Sequence, residues 1–183
     1  MSPASASTML SAAHELRDGT LARVRLTRPS DNSRVRAFLE TLSQPSRYRR
    51  FLSAFDLVPD TVVRHFTFYE PRERLMLAAT APHDGTDAII GLADVALLET
   101  GLAEVAVVVS DEHQGKGVGT LLTQAVASIA VHRGATRLKA VMAADNKAML
   151  SLMERLGETV KSREGDTLIA YTRLDAADTR HAA

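Results

Sequence analysis

Cysteine is absent from the 183-residue chain, which excludes disulfides, thiolate zinc sites and a cysteine nucleophile together. An excess of charge is absent too, since 22 lysines and arginines balance 22 aspartates and glutamates. Nucleic-acid binders draw affinity from neutralising phosphates and usually carry a basic surplus, so neither DNA nor RNA is expected as a partner. No apolar run approaches the ~20 residues that a membrane helix needs, so no membrane partner is expected. Residues 1–13 are rich in serine and alanine but lack the basic start and apolar stretch of a signal peptide. A cytoplasmic address is the resulting expectation. The six histidines (His14, His65, His83, His113, His132, His181) show no metal-ligand spacing such as H-E-x-x-H, and no metal site is expected.

What is present reads as one mixed domain. Apolar residues make up 45% of the chain, enough for an ordinary globular core. The expected organisation is a disordered leader over residues 1–19, a domain over 20–175 and a disordered tail over 176–183. Alternating apolar and polar residues over 21–27 predict a first strand. Ser30 is placed to cap a helix running to about Leu42, and Gln44-Pro45-Ser46 reads as an interruption. Pro59-Asp60 opens a second helix toward Phe68. Strands are expected over 74–80, 88–98, 102–110, 137–142 and 167–173, with turns at Pro82-His83-Asp84-Gly85 and Glu164-Gly165-Asp166. Helices are expected over 117–133 and 146–156. The order is strand, two helices, three strands, helix, strand, helix, two strands. That order predicts an α/β fold of mixed type, with a central, mostly antiparallel sheet and helices on both faces.

The informative segment starts on an apolar strand, Val105-Ala106-Val107-Val108-Val109, and turns through Ser110-Asp111-Glu112-His113. It continues Gln114-Gly115-Lys116-Gly117-Val118-Gly119-Thr120 into a helix with Leu121, Leu122, Ala125, Val126 and Ile129 on its apolar side. Glycines let backbone approach a ligand closely, and the unpaired N–H groups of a helix start favour an anion. Gln114 or Lys116 adds a side-chain donor. The phosphate is not that of a nucleotide-triphosphate loop, because G-x-x-x-x-G-K-[ST] is not matched. The dinucleotide fingerprint G-x-G-x-x-G fails as well, since Thr120 and Leu122 stand where the third glycine belongs.

The pattern that stands, Gln114-x-x-Gly117-x-Gly119, closely resembles the Q/R-x-x-G-x-G/A signature of the GNAT superfamily of N-acetyltransferases. The resemblance extends to the order of elements over residues 21–173. It also extends to Asp145-Asn146-Lys147-Ala148-Met149, which is similar to the family's second cofactor segment. Ser43-Gln44-Pro45-Ser46-Arg47-Tyr48-Arg49-Arg50-Phe51 resembles a stretch of the bacterial protein-lysine acetyltransferases. The resemblance implies acetyl-CoA as co-substrate, held by Val107, Val109, Gln114, Gly115, Lys116, Gly117, Val118, Gly119, Thr120 and Asn146. It implies Glu104 as general base, and an amine acceptor on a protein lysine or a small molecule. A monomer or a homodimer is expected.

Two departures accompany it. Met153 stands where many family members carry a proton-donating tyrosine, and Gly157 is followed by Glu158 instead of phenylalanine. A non-catalytic acyl-CoA-sensing module is therefore the alternative reading, and a nucleotide-binding domain a third. The bland readings are also plain. Asn146 suits a helix N-cap, Met149 and Met153 suit core packing, and Arg47, Arg49 and Arg50 suit a solvated face.

Overall fold

Thirteen regular elements are built from residues 10, 12–53, 56–83 and 85–174, which are those the computed structural model describes. In chain order they are β1 (Ala13–Glu15), β2 (Leu21–Leu26), α1 (Asn32–Thr41), α2 (Gln44–Phe51), α3 (Asp60–Thr67), β3 (Arg74–His83), β4 (Thr86–Glu99) and β5 (Leu102–Val109). Then follow α4 (Val118–His132), β6 (Arg137–Ala143), α5 (Lys147–Glu154), β7 (Thr159–Glu164) and β8 (Thr167–Arg173). The eight strands form one sheet in the order β1-β2-β3-β4-β5-β6-β8-β7, and only β5 and β6 run parallel. The expected mixed, mostly antiparallel sheet is what forms.

Helices cover both faces, so strand residues alternate between two apolar layers. On β3, Leu75, Leu77 and Ala79 join α4 and α5 through Leu122, Val126, Met149 and Met153. Met76 and Ala78 face the other way, against Val35, Phe38 and Leu39 of α1 and Phe66 of α3. Met149 and Met153 are core residues, as their spacing suggested. Gly91 on β4 lets α4 settle close to the sheet, since a Cβ there would lie 2.9 Å from Leu122 Cδ1 and 3.1 Å from Val118 Cγ1. Among the described residues no helix is long and apolar enough to cross a membrane.

Four expectations need correction. Gln44-Pro45-Ser46 does not interrupt the fold; it opens α2, with the Ser43 hydroxyl accepting from Ser46 N and Pro45 in the tolerant first turn. Ser30 does not cap α1. It lies in a single 3₁₀ turn (Pro29–Asp31), and Asp31 turns its carboxylate to Arg25 at 2.7 and 2.8 Å. The stretch assigned to a leader contains β1, paired with β2 from Ala13–Arg23 to Glu15–Leu21; residues 1–9 and 175–183 lie outside the described residues. Of the α2 arginines read as a solvated face, Arg49 is exposed but Arg50 is not. Arg50 is largely buried, with Nη2 2.5 Å from Asp94 Oδ2 on β4, and its guanidinium lies 5.1 and 5.4 Å from the rings of Phe51 and Phe66.

Asp94 is a buried carboxylate, also approached by His65 Nε2 at 3.6 Å and Arg74 Nη1 at 3.9 Å. Burial pushes its pKa up, but the Arg50 charge, the His65 bond and the Arg74 charge outweigh that and hold it below the usual aspartate value. Breaking such a pair strands a charge in the interior, so Arg50→Met is expected to cost about 3–5 kcal/mol in denaturant unfolding at neutral pH. The lowered group contributes stability above the ordinary aspartate value of about 3.9, and that contribution is lost as pH falls through the folded value. The gap between wild type and Arg50→Met should therefore narrow in acid. A constant gap from neutral pH into strong acid would assign the loss to packing alone.

Candidate functional site

The site originates where two strands part. β5 pairs with β6 only through Leu102–Arg137, Ala103–Leu138 and Glu104–Lys139. On its other edge β5 stays paired with β4 as far as Gly91–Val109. Past Glu104 the sheet therefore opens into a wedge along one edge of β5. A cleft of about 530 Å³ fills it, with Val107, Val108 and Val109 on its floor. Gln114, Gly115, Gly117, Gly119 and Thr120 form one wall, and Asn146, Met149, Ser151 and Leu152 form the facing wall on α5.

The glycine loop has a physical reason at each glycine. Gly115 and Gly117 adopt φ of 75° and 106°, values that side-chain-bearing residues rarely take. Gly117 is also the N-cap of α4 and offers no side-chain cap, so the first N–H groups of the helix are left for an external acceptor. Gly119 serves close approach instead: a Cβ there would lie 3.2 Å from Leu152 Cδ1 across the cleft.

The loop is fastened on both sides. Asp111 accepts from Ser43 N at 2.9 Å, Ser43 Oγ at 2.8 Å and Ser46 Oγ at 2.7 Å. Burial raises its pKa, but these bonds outweigh that and leave it below the usual aspartate value. Gln114 Nε2 donates to Ser46 Oγ at 3.1 Å and Val109 O at 3.2 Å, so its amide braces the loop against α2. Lys116 Nζ lies 3.0 Å from Asp18 Oδ2. That bond, with others from Thr20, brings the Asp18 pKa down to about 2. The two side-chain donors expected from the loop thus both hold protein groups.

Of the predicted site residues, Val107, Val109, Gln114, Gly115, Gly117, Gly119, Thr120 and Asn146 come together on the cleft. Lys116 and Val118 do not line it, and Val118 is fully buried beneath the loop. Asn146 caps α5, its Oδ1 accepting from Met149 N at 3.1 Å. Glu104 stands apart from the cleft lining, at the fork where β5 and β6 separate, with Oε2 2.9 Å from Lys139 Nζ. That carboxylate holds the Lys139 ammonium above its usual pKa. Met153, at the tyrosine position, is buried in the core and does not face the cleft.

Sequence reasoning missed the cations. Arg17, Arg49, Arg50, Lys147 and Arg155 line the cleft, against the single carboxylate of Asp145. A neutral chain thus concentrates positive charge at one place, which suits a polyanionic ligand. Lys147, Ser151 and Arg155 recur every four residues, so helical spacing alone would have put them on one face of α5.

Gly117→Val forces a β-branched residue into positive φ, a strain of about 1–3 kcal/mol. Thermal unfolding should register that modest loss, while calorimetry should show acetyl-CoA affinity falling by a much larger share. Wild-type affinity in the variant would remove the loop from the binding site.

Comparisons with known proteins agree with this geometry. The profile of the acetyltransferase (GNAT) family matches residues 36–157. An acetyltransferase of Pseudomonas aeruginosa is 28% identical over 160 residues, covering 87% of this chain and 86% of that protein. The acetyltransferase Pat of Mycolicibacterium smegmatis is 37% identical over 96 residues, which are 49% of this chain and 28% of that longer protein. Among solved structures, the GNAT domain of S. lividans PAT superposes with a TM-score of 0.78 at 30% identity, covering 89% of this chain and 96% of that one. The match spans the wedge, the glycine loop and both helices that wall the cleft, and the chain belongs to the GNAT family of acetyltransferases.

Proposed function

We propose that this protein transfers the acetyl group of acetyl-CoA to a protein lysine by direct attack. One observation carries the reading: an uncapped, glycine-fronted helix start shares a wedge with five cationic side chains and an apolar strand floor. Coenzyme A has the complementary distribution of charge, with phosphates at one end and a long uncharged arm at the other. Its pyrophosphate fits the amides of Gly117 to Thr120, and its arm fits along Val107 to Val109, toward the fork.

The acceptor has a separate approach. A second, shallow groove of about 420 Å³ lies between α2 and the turn after β6, bordered by Tyr48, Arg49, Asp145 and Asp166. Arg49 and Asp145, 3.5 Å apart, border both grooves. Arg49 and Arg163 balance the two carboxylates in the second groove's lining, so it offers both signs of charge to a polypeptide. The α2 stretch that resembles the protein-lysine acetyltransferases forms one bank, which supports a polypeptide acceptor.

Chemically, a lysine with an ordinary pKa of about 10.4 arrives as ammonium and must lose a proton before it can attack. We assign that proton to Glu104, at the fork, reached through an intervening water. The nitrogen lone pair then forms the C–N bond, the carbonyl oxygen takes up charge and returns it, and the C–S bond breaks. The second proton lost from the attacking nitrogen passes through water to the departing sulfur, so coenzyme A leaves as the thiol. A backbone N–H near Val109 is the proposed donor to that oxygen. The Glu104–Lys139 pair joins Met153 in supporting the alternative, a non-catalytic acyl-CoA sensor.

The test is thiol release from acetyl-CoA over peptide and amine pools, followed by Glu104→Gln on the acceptor found. A positioned base contributes about 10²–10⁴-fold, so kcat should fall by that order while acetyl-CoA affinity stays near wild type. The rising limb of the pH–rate profile should disappear with it. An unchanged kcat and profile would remove Glu104 from the reaction, and binding without turnover on any pool would favour the sensor.

A further inference from the structure

We propose that Arg17, carried on the turn between β1 and β2, is a ligand for the pyrophosphate of the acyl donor. The inference rests on the acetyl-CoA reading of the cleft and adds a residue outside residues 36–157, the part matched by the family.

Three observations converge on this turn. Its backbone is sewn to the glycine loop, with Arg17 N donating to Lys116 O at 3.0 Å. Its neighbour Asp18 draws the Lys116 ammonium outward at 3.0 Å, so the loop's own lysine is not presented to the cleft. Arg17 takes the vacated role. It lines the cleft beside Gly115 and Gly117, and Nη1 donates to Gly115 O at 3.2 Å. A Cβ built on Gly117 would meet Arg17 Cγ first, at 4.0 Å, so the arginine stem runs over the start of α4.

A guanidinium has five N–H donors in a planar fork that matches phosphate oxygens. Gly115 O engages one of them and fixes the side chain, and the exposed remainder stays available to a ligand. The phosphates that the helix N–H groups attract are the anion within reach of the same loop. The turn therefore acts as a strap that holds the loop in its binding conformation and adds a positive charge over it.

The experiment compares wild type, Arg17→Ala and Arg17→Lys by calorimetry with acetyl-CoA and its 3′-dephospho form, at low and high salt. A charged hydrogen bond of this kind corresponds to roughly a ten- to hundredfold change in Kd. Arg17→Ala should weaken both ligands by that factor, and Arg17→Lys should recover part of it. The salt dependence should flatten in Arg17→Ala, because a screened charge contact has been removed. Unchanged affinity in Arg17→Ala overturns the proposal while leaving the cleft reading intact. A loss with wild-type salt dependence overturns it in favour of a purely structural strap, and a loss seen only with the 3′-phosphorylated ligand moves the contact to that phosphate. No binding by the wild type would overturn the cleft reading and this inference together.

Discussion

The parting of β5 from β6 governs everything else in the site. A parallel pair normally continues for the length of both strands, because each unpaired N–H and C=O inside a protein is costly. Here pairing stops after Glu104–Lys139. The strands diverge because they are anchored to different partners: β5 is held to β4 through Val109, and β6 to β8 from Arg137–Arg173 to Ala143–Thr167. The exposed edge of β5 then needs something to satisfy it. Gln114 Nε2 meets Val109 O, and an amide-bearing arm such as that of coenzyme A can meet groups deeper in the wedge.

A binding loop made of glycines has to be held from outside, because its own backbone has so many conformations to lose. Two clamps do this from opposite sides. On one, Asp111 gathers three donors from Ser43 and Ser46 at the start of α2. On the other, the β1–β2 turn contributes the Arg17–Gly115 bond and the Asp18–Lys116 ion pair. The first clamp reaches beyond the loop, since α2 also carries Arg49 and Arg50 onto the cleft and Tyr48 onto the neighbouring groove. The loop and one bank of the proposed acceptor groove are thus one mechanical unit. The buried Arg50–Asp94 pair pins that unit to the centre of the sheet.

The glycine loop, its strand and its helix were readable because they rest on local rules: period-two alternation, positive φ at glycine, an open helix start. The hairpin at Gly165 was readable for the same reason, and its φ is 61°. What escaped was non-local. Helix α2 hid behind Pro45, which breaks a helix in its interior and is welcome in its first turn. Gln114 and Lys116 looked like phosphate donors from their position in the chain, and nothing local reveals that Ser46 and Asp18 claim them. Arg17 lies 98 residues from the loop it touches, a contact that only the sheet order creates. Arg50 read as one charge in a basic run, because its partner Asp94 is 44 residues away.

The central claim is that acetyl-CoA occupies the wedge, and backbone amide hydrogen exchange tests it along the whole chain at once. With saturating acetyl-CoA, the account predicts slowed exchange in three places: β5 beyond Glu104, the loop from Gly115 to Thr120, and the first turn of α5. Strands β7 and β8, at the far edge of the sheet, should exchange as they do in the free protein. Protection confined to other segments, or none at saturation, would contradict the account.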